Sequence, residues 1–200
     1  MPREGLPLKT TGEPKQREGW SSVSDIFEFT PEEGKEYFYK EVRLNSRSFY
    51  QYRGETLERT AALMDKVYKI LRRHLGDYLV PTRFLLAENK NGQPSIMMVQ
   101  EKVKGKTVDS IIKEQLPEEL SSARAWELTQ SLYGVPPDVI RQREEIAKRL
   151  ERAEKDPELI KLFRDEKLTP ECEGKFFTGE VMYRKNQIVD ESGHVRVVDW

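Results

Sequence analysis

The sequence predicts an α+β chain in which an antiparallel sheet is built first and helices follow. Three observations carry that prediction. Short runs of aromatic and β-branched residues, separated by turn residues, fill the first half of the chain around one strongly periodic helix. Residues 118 to 165 are mostly Glu, Lys, Arg, Leu and Ala, a helix-forming composition. From Lys175 onward the chain returns to short strand-like runs.

Residues 1 to 18 combine Pro, Gly, Lys and Glu without periodicity and are expected to form a flexible tail. Val23–Phe29 and Glu36–Val42 are rich in aromatic and β-branched residues, and Thr30–Lys35 between them supplies turn chemistry, so a hairpin is expected. From Gly54 to His74, Leu57, Ala61, Met64, Val67, Tyr68, Leu71 and then Leu75 recur at three- and four-residue intervals, which predicts a helix with Gly76 as its C-cap. Tyr78–Pro81 leads into a second hairpin: Thr82–Glu88, the turn Asn89–Gly92, and Ser95–Glu101. After Gly105 a helical stretch begins at Val108–Ile112, and Pro136-Pro137 and Asp156-Pro157 punctuate the helices that follow, because proline suits a first turn and breaks an interior. The closing strands are Lys175–Gly179, Gln187–Asp190 and His194–Trp200, with Glu191-Ser192-Gly193 as the last turn, and no internal repeat is visible.

At 200 residues and 23.5 kDa the chain can form one substantial domain or two small lobes sharing a cleft. Its eight Phe, eight Tyr and three Trp, spread through periodic segments, outweigh a polar composition that is 34% charged, so a folded domain is expected. The single cysteine, Cys172, has no partner for a disulfide and no zinc-ligand spacing around it, which points to a reducing, cytoplasmic setting. The first eighteen residues lack an apolar core of the signal-peptide type, and no run of eighteen apolar residues occurs, so neither secretion nor a membrane span is expected. With 34 basic and 35 acidic residues the net charge is −1, and no global field draws the chain to nucleic acid or to an anionic membrane. Any bound anion has to be held locally.

Several landmarks fall in a fixed order along this frame. Lys40 lies in the strand-like Phe38–Val42, and Glu58 and Glu55 lie at the start of the next helix. Met98–Gly105 reads as a buried strand running into an extended segment that ends on a glycine before the next helix. Asn186–Trp200 reads as Asn, apolar strand, Asp-x-x-Gly turn, apolar strand and Asp-Trp. Together these landmarks resemble the protein-kinase-like and aminoglycoside-phosphotransferase-like family, over roughly residues 19 to 200, with the terminal hairpin as the specific part. The resemblance implies a two-lobed kinase-like fold, with an antiparallel-sheet N-lobe over residues 19–103 and a reduced, mostly helical C-lobe over 104–200.

It also implies roles. Lys40 resembles the strand lysine that holds nucleotide phosphates, with Glu58 as its carboxylate partner and Glu55 as second choice. The carbonyl of Glu101 and the amide of Val103 would meet the adenine of ATP, and Asn186 and Asp199 would hold magnesium. Two departures stand against full activity. The family's catalytic Asp, five residues before the metal-binding Asn, is here Val181, which leaves the neighbouring Glu180 or a water to accept the hydroxyl proton. The glycine-rich phosphate turn is represented only by Gly19–Ser24. The chain ends one residue after Asp199, so the reduced second lobe is expected to belong either to a minimal family member or to a truncated product.

Two functions follow from the resemblance: an ATP- and magnesium-dependent phosphotransferase acting on a small-molecule or protein hydroxyl, and a pseudokinase scaffold without catalysis. A third reading, independent of it, is a helical interaction protein built on residues 107 to 168, whose apolar spacing is too irregular for a long coiled coil. His74 and His194 are expected at the surface, which sets a histidine-dependent triad aside.

Overall fold

The computed structural model describes residues 26–29, 37–42, 56–88, 94–117, 121, 123–124, 127–128, 131–165 and 181–198. The chain divides into two compact units, Met1–Tyr68 with Pro81–Lys102, and Lys69–Val80 with Val103–Trp200. Helices are joined by antiparallel sheets, so the α+β class stands. The expected tail 1–18, the turns Thr30–Lys35 and Asn89–Gly92, the strand Lys175–Gly179 and Cys172 lie outside the described residues.

In the first unit, β1 (Ile26–Phe29), β2 (Tyr37–Val42), β3 (Thr82–Glu88) and β4 (Pro94–Glu101) form one antiparallel sheet in the order β1-β2-β4-β3. Both expected hairpins are present, with Ile26 opposite Lys40 in the first and Thr82 opposite Gln100 in the second. The hairpins join through β2 and β4, where Tyr37 faces Glu101 and Val42 faces Ile96. That central position explains why Ser95–Gln100 of β4 are buried without alternation: both faces of the strand are covered. On one face Ile96 packs with Ala61 and Met64, joined by Val42, Leu57 and Phe84, and on the other Met97 and Val99 pack with Tyr37, Leu85 and Ala87.

Helix α1 (Leu57–Leu75) supplies the cover on the first face. Thr56 caps its start, accepting the Arg59 amide at 3.3 Å on its hydroxyl. All the periodic residues from Ala61 to Leu75 are buried, as expected, and Gly76 ends the helix with φ +59, a conformation that glycine adopts without strain. Residues up to Tyr68 belong to the first unit, where the Tyr68 hydroxyl accepts the Thr82 amide at 3.1 Å.

The second unit holds the end of α1, a 3-10 turn at Gly76–Tyr78, β5 (Gly105–Thr107), α2 (Val108–Gln115), α3 (Pro137–Glu154), α4 (Pro157–Asp165), a 3-10 turn at Arg184–Asn186, β6 (Gln187–Asp190) and β7 (Val195–Val197). Its sheet runs β5-β6-β7, antiparallel throughout. Pro137 and Pro157 open their helices as expected, and Asp156 caps α4 by accepting the Glu158 amide at 2.8 Å. The core gathers Leu71, Leu75, Leu79, Val80, Ile112, Ile146 and Leu150, all fully buried, each contributing about 1.5–3 kcal/mol of apolar burial.

The helix expected to begin at Val108 does so, and the three residues before it form a strand that was not expected: Gly105–Thr107 pair with β6, Gly105 opposite Asp190 and Thr107 opposite Ile188. Thr107 then caps α2 by accepting the Ser110 amide at 3.0 Å. Among the described residues no helix is long and apolar enough to cross a membrane.

Candidate functional site

Lys40 stands in the interior of β2, opposite Ile26 on one side and Met98 on the other, and is half-buried. Side chains alternate along a strand, so Lys40 shares its sheet face with Phe38 and Val42. Val42 packs under Ala61 and Met64, which makes this the face that α1 covers. Glu58 is in the first turn of that same helix and is exposed, next to Leu57, which joins the cluster. Glu55 lies outside the described residues.

Glu101 closes β4, where its amide meets the carbonyl of Pro81 at 3.5 Å. The next residue, Lys102, places its ammonium 5.7 Å from the centre of the Phe38 ring. The division between the two units falls between Lys102 and Val103, within the extended segment that joins the two described sheets.

The second group of candidate residues lies on the loop before β6. Asn186 is 5% exposed and ends the 3-10 turn; its amide donates to the Tyr183 carbonyl at 2.9 Å, and its own carbonyl accepts the Val198 amide at 2.9 Å. The backbone of Asn186 is thus bonded to the residue immediately before Asp199. Asp199 itself and Glu180 lie outside the described residues. Val181, the position at which the resemblance led to an expected carboxylate, is a fully buried core side chain.

Two polar side chains beneath this loop were missed by the sequence reasoning. Arg143 of α3 is 8% exposed and Gln187 of β6 is fully buried. The Arg143 guanidinium donates to Oε1 of Gln187 and, at 3.2 Å, to the Met182 carbonyl. Nε2 of Gln187 donates to the Val181 carbonyl at 2.7 Å and approaches Sδ of Met182 at 3.7 Å. Burial, reinforced by the neighbouring charge of Arg184, lowers the Arg143 guanidinium to about 10, so it is still a cation at neutral pH. A signal did exist. The buried positions of α3 are Val139, Arg143, Ile146, Leu150 and Ala153, so Arg143 interrupts an apolar stripe of helical period.

At the far end of β6, Asp190 organises the turn. Its Oδ1 accepts the Ser192 amide at 3.0 Å, the Ser192 hydroxyl at 2.6 Å and the His194 amide at 2.9 Å. Desolvation works against this carboxylate, yet those hydrogen bonds and the nearby His194 hold it below the usual carboxylate range. His194 is exposed as expected, whereas His74 is only 25% exposed and bonds Asp156 through Nε2 at 2.7 Å.

Among the described residues no group of three or more His, Cys, Asp or Glu could hold a metal ion. Magnesium needs less from a protein when phosphates and water complete its shell: one or two hard oxygens are enough. Of the two residues expected to supply them, Asn186 is buried, and its carbonyl accepts the Val198 amide.

No family model matches the chain, and no curated protein matches it. A solved structure of a pseudokinase in its apo form is similar over 91% of this chain, at 13% identity and a TM-score of 0.41. This chain spans 55% of the length of that one. A score at that level is a distant likeness in the path of the backbone and assigns neither fold nor activity.

Proposed function

We propose that the chain is a small kinase-like module that binds ATP together with magnesium. In this reading residues 19–103 grip the nucleotide and residues 104–200 form the helical lobe. Lys40 holds the phosphates with Glu58 as its carboxylate partner, the Glu101 carbonyl and Val103 amide meet the adenine, and Asn186 and Asp199 supply the oxygens that bind the metal. The observation that carries the reading is the position of Lys40 on the sheet face covered by α1, the helix that also bears Glu58. A strand lysine held against a helix carboxylate is what fixes a cation at the phosphates instead of leaving it in solvent. The lone Cys172 supports a reducing, cytoplasmic setting.

A scaffold without catalysis is the second reading, and one observation favours it: Val181, fully buried, replaces the acceptor carboxylate. Phosphoryl transfer then depends on Glu180 or a water, and because such catalysis is mostly positioning and charge neutralisation, losing the acceptor lowers turnover without removing nucleotide binding.

The two readings separate in one set of measurements. Thermal unfolding is followed with ATP, magnesium and both, for the wild type and Asp199→Ala. Ligand at a hundred times its dissociation constant adds about 2.7 kcal/mol of stability, and the shift is expected only with both ligands and only in the wild type. No shift in any combination sinks the nucleotide reading. Hydroxyl-substrate-dependent release of ADP above background, reduced in Glu180→Gln, would then select the phosphotransferase over the scaffold.

A further inference from the structure

The loop from Val181 to Gln187 is braced from below by a cation in an unusual place. Arg143 occupies a core-facing position of α3 between Val139 and Ile146, and among the described residues no carboxylate pairs with it. Burying a guanidinium without a counter-ion is expensive, and an apolar side chain of similar volume would pack the same space at lower cost. What an apolar side chain lacks is direction. The planar guanidinium offers several donors at fixed angles, and here two of them reach acceptors at opposite ends of one loop: the Met182 carbonyl near its start and the Gln187 amide oxygen at its end. Gln187 completes the brace by returning its own N–H to the Val181 carbonyl at 2.7 Å. Asn186 is the residue next to Gln187; its amide bonds Tyr183 within the stretch that this brace closes, and its carbonyl accepts the Val198 amide from the far side of β7.

We infer that Arg143 and Gln187 are positioning residues for Asn186, fixing the path of the 181–187 loop so that the Asn186 side chain is presented to the magnesium ion of bound Mg-ATP in one orientation. The inference rests on the nucleotide reading above and names what that reading requires beneath its metal ligand. Groups that orient a ligand from outside the first coordination sphere typically carry about 10–100-fold in metal affinity. The loss on removing either partner is therefore expected in the metal-dependent part of binding and not in the contacts to adenine.

The test uses the full chain and measures ATP affinity by calorimetry twice, with magnesium and with a chelator. The wild type is compared with Arg143→Met, Gln187→Leu and Arg143→Lys, and hydrogen exchange of the α3, β6 and β7 amides, together with those of β3 and β4, checks that each variant is folded. Arg143→Met and Gln187→Leu are expected to lose about tenfold or more of the gain in affinity that magnesium confers, with ATP affinity in chelator unchanged within about twofold. Arg143→Lys keeps the charge but not the planar fork that spans the two acceptors, so it is expected between the wild type and Arg143→Met. Folded variants that retain the full magnesium gain would overturn the inference and leave the nucleotide reading standing. A parallel fall in both affinities would overturn it as well, by reducing the brace to general stability. A wild type with no magnesium-dependent gain would overturn the nucleotide reading itself, and the inference with it.

Discussion

A methyl group added at Gly105 would meet the carbonyl oxygen of Val189 at 2.1 Å, whereas one added at Gly193 finds nothing within 4 Å. Both glycines have positive φ, +155 and +83, so both substitutions strain the backbone, but only the first also collides with a neighbouring strand. Gly193→Ala is expected to cost about 1 kcal/mol, and Gly105→Ala about 2 kcal/mol more, read from denaturant midpoints. Equal losses would mean that β5 slides away from β6 at little expense. Asp156 gives a second test at this scale. Burial opposes its charge, but the His74 ring, the Glu158 amide and Arg73 outweigh burial and set its carboxyl below the ordinary range. A folded-state acid held below its unfolded value contributes stability above the unfolded value and loses it as pH falls through the folded one. Asn at this position keeps the cap on α4, so Asp156→Asn should be less stable than the wild type near neutrality by about 1 kcal/mol. That gap should close as pH falls below about 4, checked by unfolding midpoints from pH 3 to 7.

At the scale of elements, sequence and structure agree where a period is long and a turn is marked. Seven apolar residues at helical spacing announced α1, and Asn89–Gly92 between two apolar runs announced the β3–β4 hairpin. Gly105–Thr107 was illegible for a physical reason: three residues hold no period, and what makes them a strand is pairing with β6, far along the chain. Lys40 and Asn186 could be picked out as residues, while Arg143 was hidden among the many charges of α3 and acquires meaning only once Gln187 and Met182 are placed beside it. The β6–β7 turn was read correctly because its chemistry is local. Asp190→Ala removes three hydrogen bonds that one carboxylate oxygen accepts across four residues. It is expected to destabilise by about 2 kcal/mol and to speed amide exchange at Ser192 and His194 before other positions. Unchanged exchange at these two amides would show that the backbone bonds between Asp190, Gly193 and His194 hold the turn alone.

At the scale of the whole chain, local patterns do not tell where the segment between α1 and β3 belongs. Lys69–Val80 comprises the end of α1 and the residues that lead to a strand of the first unit, yet it is part of the second. The reason lies at the other end of the sequence. Leu79 bridges to Val197 in parallel, and the Val80 amide donates to the Val197 carbonyl at 3.0 Å, so the segment after α1 extends the β5-β6-β7 sheet at its β7 edge. Arg72 fastens the same segment from the helix, donating to the Leu79 carbonyl and to Asp77 at 2.9 Å. Closing so long a loop is slow and carries an entropic penalty, which the burial of Leu75, Leu79, Val80 and Val197 together has to offset. Leu79→Ala empties a fully buried site at this seam and is expected to cost about 2–5 kcal/mol. If the seam is one cooperative structure, hydrogen exchange should accelerate at Val80 and in β6 and β7 alike. Acceleration confined to the end of α1 would mean that β7 is stable without its distant neighbour, and that Lys69–Val80 docks on a sheet already formed.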